Sequence, residues 1–161
     1  MKRTDDSQQP SKALASALIV WPAVSLILVV VGYLLLRDRV PSQIVRHVGP
    51  DGDGFGSLLM FILGAALIAC LLFVIGGLLV TGYIKRGHLY GSEKMISVSL
   101  LAGGYGVATI GACILLANLN VQDGVASGQA VGTSLLGFVC AFVVAAVIYA
   151  RVLPKAKLES L

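Results

Sequence analysis

The chain has 161 residues, 57% of them hydrophobic and only 12% charged, with a formal net charge of +4. Soluble domains carry about 25% charged residues, so the composition excludes a water-soluble fold. The surplus of basic residues does not read as nucleic-acid binding. These residues form no run interleaved with aromatics, but sit in short segments beside apolar stretches, where cations anchor helices and meet anionic lipid.

All 12 basic and 8 acidic residues lie outside four stretches, 13–36, 54–84, 95–122 and 124–150. Each exceeds the ~20 residues that cross a bilayer core at about 1.5 Å per residue. The expected fold is an all-α integral membrane protein whose four transmembrane helices form an up-down-up-down bundle. Short connections after the second and third spans favour that antiparallel order.

In chain order, a tail over 1–12 precedes the first span, 13–36. Lys2-Arg3 suits a signal-peptide start, but Asp5 and Asp6 follow, the apolar run is too long and no A-x-A site closes it. An uncleaved anchor is expected. Ser11 is placed to cap this helix. Pro22 lacks an N–H, so a mild kink and a freed carbonyl for a neighbour are expected. A loop over 37–56 leads to the second span, 57–84, with Ser57 as its cap. A connection over 85–94, containing Ser92, precedes the third span, 95–117, which fades at Asn118-Leu119-Asn120. A second loop over 118–127 enters the fourth span, 128–150, and a tail over 151–161 contains Pro154. Tyr33, Tyr83 and Tyr149 fall at helix ends, as in an interfacial aromatic belt. Tyr105 lies deeper, and its hydroxyl needs a partner.

Lys2, Arg3, Lys12, Lys85, Arg86, Lys94, Arg151, Lys155 and Lys157 share one side of a four-span protein. Arg37, Arg39 and Arg46 lie on the other. Nine against three places both termini in the cytoplasm by the positive-inside rule.

The spans hold no ionisable residue of the kind that marks ion-coupled transport. Their strongest polar groups are Gln129, Thr109, Thr133, Ser134, Ser97, Ser99 and Ser25. Such hydroxyls can bond their own helix carbonyls. No Ser/His/Asp set, H-E-x-x-H or P-loop occurs, and His47 and His88 fall on opposite sides of the membrane. A non-enzymatic protein without a cofactor or metal is expected. Cys70, Cys113 and Cys140, one in each of three spans, suggest no disulfide framework.

Small residues mark surfaces of close helix approach. Gly128 and Gly132 continue a four-residue repeat from Gly124, followed by Gly137, Ala141 and Ala145. The third span offers Gly104, Ala108 and Ala112, and the second Gly64 and Gly76-Gly77. Packing within the monomer is the expected use, with a homodimer or partner surface as the alternative.

The loop after the first span concentrates distinctive residues. Pro41, Pro50 and two Asp-Gly pairs predict a solvated, tightly turned segment. His47, Asp51 and Asp53 can bind a divalent ion only with partners from elsewhere, because no closing Glu follows as calcium loops require.

Pro41, Ile44, His47, Gly52, Asp53 and Gly54, set between an apolar helix and a second one, resemble a bacterial membrane-domain family of unknown function found in SdpI-type toxin-immunity proteins. The resemblance covers about residues 25–62. It implies a multi-pass protein of the bacterial inner membrane, with an outward-facing loop and no assigned catalysis. Three roles follow as expectations. The first is an immunity, sensory or envelope-associated role exercised through the loop. The second is an accessory or scaffold subunit packed on a membrane partner, and the third a small oligomeric transporter or channel.

Overall fold

The computed structural model describes residues 12–49, 52–87, 89–122 and 130–157. Four helices in it are long and apolar enough to cross a membrane: α1 (Ala13–Arg39), α2 (Leu58–Lys85), α3 (Gly91–Ala117) and α4 (Ala130–Val152). In hydrocarbon a helix satisfies its own backbone, which is why uninterrupted apolar runs of this length take this form. The charges these helices carry sit at their ends, as at Arg37, Lys85, Lys94 and Arg151.

The segment expected as a solvated, tightly turned loop forms a two-stranded antiparallel hairpin, β1 (Gln43–Gly49) with β2 (Gly52–Ser57). Ile44, Val45 and Val48 are β-branched residues that favour extended backbone. Gly56, Gly54 and Gly52 oppose Ile44, His47 and Gly49, and the register shifts between Val45 and His47. The all-α expectation holds for the chain as a whole, and this short hairpin is added to it. Strand pairing satisfies the backbone of a segment too short and too glycine-rich for a helix. The hairpin is fixed to the bundle at its base. Leu58 N–H donates to Ser42 C=O at 3.1 Å, Pro41 is buried, and Ile44 is 8% exposed within the hydrophobic core.

Helix boundaries follow local chemistry. Ser57 has extended backbone and accepts from Met60 N–H at 3.4 Å, so α2 starts where its cap allows. The third helix starts at Gly91, four residues before the expected Met95. Glu93 reaches back to Tyr90 N–H at 2.8 Å, which carries the helix start out past the charged residues. At its other end Asn118 caps α3, and Asn120 takes a left-handed φ of 59°, a conformation Asn tolerates. From there Asn120 N–H donates to Arg39 C=O at 2.6 Å, joining the ends of α1 and α3. At the opposite end Lys157 N–H donates to Leu89 C=O at 2.8 Å, and Lys157 Nζ to Gly87 C=O at 2.6 Å. Lys94 Nζ also donates to Leu153 C=O at 3.3 Å. These bonds tie the segment after α4 to the α2–α3 connection.

The third helix is the hub, packing on α1, α2 and α4, whereas α4 packs chiefly on α3. Glycines on α3 act as sockets for side chains of each neighbour. A Cβ on Gly104 would lie 2.5 Å from the Phe73 ring of α2. One on Gly106 would lie 2.7 Å from the Phe138 ring of α4, and one on Gly111 3.3 Å from Val29 of α1. A ring seated in a glycine notch supplies dispersion contact where no hydrophobic force acts between helices.

Candidate functional site

Two places concentrate features beyond plain helix packing: the proline break of α1 with the groove beside it, and the hairpin.

Within α1 a π-helical turn, Ser16–Val20, precedes Trp21-Pro22. Trp21 N–H is directed to Ser16 C=O instead of to Ala17 C=O, its partner in a regular α-helix. Pro22, five residues after Ala17, has no N–H to offer a π-type bond. Ala17 C=O is thereby left for a side chain, and Tyr149 Oη of α4 donates to it at 2.5 Å. Tyr105 Oη of α3 lies 3.4 Å from Tyr149 Oη. The Tyr105 ring also meets the Phe73 ring edge-on at 4.8 Å between centroids. The freed carbonyl and the partner for Tyr105 both follow the sequence expectation. The assignment of Tyr149 to an interfacial belt is corrected: its side chain is 3% exposed and turned inward, because the broken turn of α1 requires a donor at that level.

A groove of about 540 Å³ lies beside this pair, between α1 and α4 with α3 as its floor. Trp21, Val24 and Leu28 form one wall, Val144 and Ile148 the other, and Tyr105 and Thr109 the floor. Its polar groups are mostly committed elsewhere. Ser25 Oγ donates to Pro22 C=O at 2.7 Å, and Tyr149 to Ala17. Thr109 turns its methyl towards Gly137. A second groove, of about 420 Å³, lies between α1 and α2 and includes Pro22, Phe73 and Cys70.

The residues singled out by sequence divide clearly. In the hairpin, His47 pairs with Gly54, Val48 with Asp53 and Gly49 with Gly52. Register therefore brings His47 and Asp53 to adjacent levels of the ladder. Asp51, a further candidate ion ligand, lies outside the described residues, as do Ser11, His88, Gln129, Gly124 and Gly128. Of the small residues, Gly104 faces Phe73, and Ala108 is buried at 4% exposure. A Cβ on Gly137 would lie 2.5 Å from Cys113 Sγ, and Ala141 lines the groove. Among the described residues, nothing from another element lies within 4 Å of a Cβ built on Gly132 or Gly64, so neither is a socket there. Gly106 and Gly111 were missed. The signal was the density of glycine in α3, but spacing alone does not say which glycine meets a ring. Ser97 and Ser134 each donate to the carbonyl four residues before them. Cys70 and Cys140 are exposed, and Cys113 is half-buried.

The fold defines a class: an essentially all-helical chain with four helices of membrane-spanning length and composition. No protein-family model, curated protein or solved structure matches it.

Proposed function

We propose that this chain is a non-enzymatic multi-pass protein of the bacterial cytoplasmic membrane that plays an immunity, sensory or envelope-associated part through its outer hairpin. The observation that carries this reading is the anchoring of the hairpin. Buried Ile44 and the Ser42–Leu58 bond make it a fixed platform on the bundle rather than a tether, and fixed elements present binding groups better than loose ones do. The helices run up-down-up-down with both termini inside. The Lys157–Leu89 and Asn120–Arg39 bonds, at opposite ends of the bundle, support that order. The excess of Lys and Arg beside one set of helix ends supports the orientation. The bilayer is the first partner, and nucleic acid is none.

In the source cell, deletion of the gene is expected to raise sensitivity to an envelope-acting peptide or to cell-wall stress. His47→Ala and Asp53→Ala are expected not to complement it at equal protein level. Full complementation by both variants would remove the hairpin from the function.

A second reading, an accessory subunit or homodimer packed through α4, is favoured by the open surface at Gly132. It expects Gly132→Leu to abolish a cross-linked complex, and a complex that survives this change rules it out.

A further inference from the structure

We propose that the groove between α1 and α4 holds an acyl chain of one anionic phospholipid, whose headgroup is met by Arg151. This goes beyond the hairpin role and does not depend on it.

The dimensions fit one leaflet. The α1 wall runs from Ala17 to Leu28, about 17 Å at 1.5 Å per residue, close to half of a ~30 Å hydrocarbon core. The groove spans the half of α4 from Ala141 to Tyr149 and so stops near that helix's midpoint. A partner helix crossing the whole membrane would need a groove of about twice this length. The surface is suited to an alkyl chain, being walled by aliphatic side chains and Trp21, with the hydroxyls of Ser25 and Tyr149 already donating to backbone carbonyls.

Charge complementarity selects the headgroup. Arg151 follows Val144 by seven residues and Ile148 by three, which places it in line with the Val144–Ile148 edge of the groove, one turn beyond that wall. It is exposed, and its side chain makes no ion pair or hydrogen bond among the described residues. Nearby Lys94 and Lys157 instead bond backbone carbonyls. A guanidinium at the mouth of a lipid-depth groove is suited to bidentate phosphate binding.

The test uses the full chain in detergent, with native mass spectrometry after exchange into phosphatidylglycerol or phosphatidylcholine of matched chains. The wild type is expected to retain one phosphatidylglycerol, in preference to phosphatidylcholine. Arg151→Gln should reduce that preference about fivefold, the effect of one basic residue at a lipid surface. Ala141→Trp, which fills the groove, should lose the adduct. Val144→Trp, on an exposed wall position, should also lose it and guards against a folding defect in the first variant. The proposal is overturned if the wild type carries no lipid, if it retains both lipids equally, if the groove-filling variants keep the adduct, or if the groove is covered by a second copy detected as a dimer.

Discussion

Gly104 and Gly64 are both glycines within spanning helices, and substitution should affect them in opposite directions. A methyl on Gly104 would enter the space of the Phe73 ring, which is 4% exposed and held edge-on by Tyr105. Gly104→Ala is expected to destabilise the bundle by about 1–3 kcal/mol, the usual range for overpacking. Among the described residues, nothing from another element lies within 4 Å of a Cβ on Gly64, so Gly64→Ala should gain up to about 1 kcal/mol from helix propensity. Reversible unfolding in mixed micelles measures both, and equal effects at the two sites would contradict the socket assignment. The sequence marks both residues as small. Only the position of Phe73 separates them.

At the scale of the element, the break in α1 and its repair by α4 form one unit. Tyr149→Phe removes the donor to Ala17 C=O and should cost about 0.6 kcal/mol and no more than about 1.7 kcal/mol, the average and the maximum for interhelical hydrogen bonds in membranes. Pro22→Ala returns an N–H to the turn, so the carbonyl recovers a backbone donor. In that background Tyr149→Phe should cost measurably less. A double-mutant cycle gives the coupling directly, and additive costs would show that proline and tyrosine act independently. Pro22 announced the freed carbonyl in the sequence. The identity of its donor, 132 residues away, could not be read there, because the 149 position alone suits either an interface or an inward turn. The hairpin was similarly half-legible. The β-branched residues up to Val48, followed by Gly49-Pro50-Asp51-Gly52, are a strand-and-turn signal, but Asp53-Gly54-Phe55-Gly56-Ser57 holds no β-branched residue and carries no strand signal of its own. Ile44→Ala should cost about 2–4 kcal/mol, as for other buried large-to-small changes. Limited proteolysis of the hairpin in membranes would report the loss, and unchanged resistance would argue against its docking.

For the whole molecule, the proposed orientation predicts which loops each side can reach. In a background with Cys70, Cys113 and Cys140 replaced by Ala, Gln43→Cys should react with a membrane-impermeant maleimide on intact cells. Lys155→Cys should react only after permeabilisation. The reverse pattern would invert the bundle. The segment after α4 should also stabilise its end of the bundle. Lys157 links the peptide backbone to Leu89 and its ammonium to Gly87, so truncation before Lys155 should lower the melting temperature of the detergent-solubilised protein. An unchanged melting temperature would make those bonds energetically silent.

The sequence by itself determined the solvent and the helix count. Four charge-free runs longer than a bilayer core admit few other arrangements, since backbone polar groups in hydrocarbon must pair within each segment. It also carried the cap at Ser57 and the need of Pro22 for help, because both are local consequences of one side chain. Tertiary structure alone decided that α3 is the hub, which of its glycines receive rings, that Tyr149 turns inward, and that α1 and α4 part to leave a groove above Tyr105. These depend on contacts between residues far apart in the chain. An apolar face of a membrane helix looks the same in sequence whether it meets lipid or another helix, because lipid tails are as apolar as the side chains themselves.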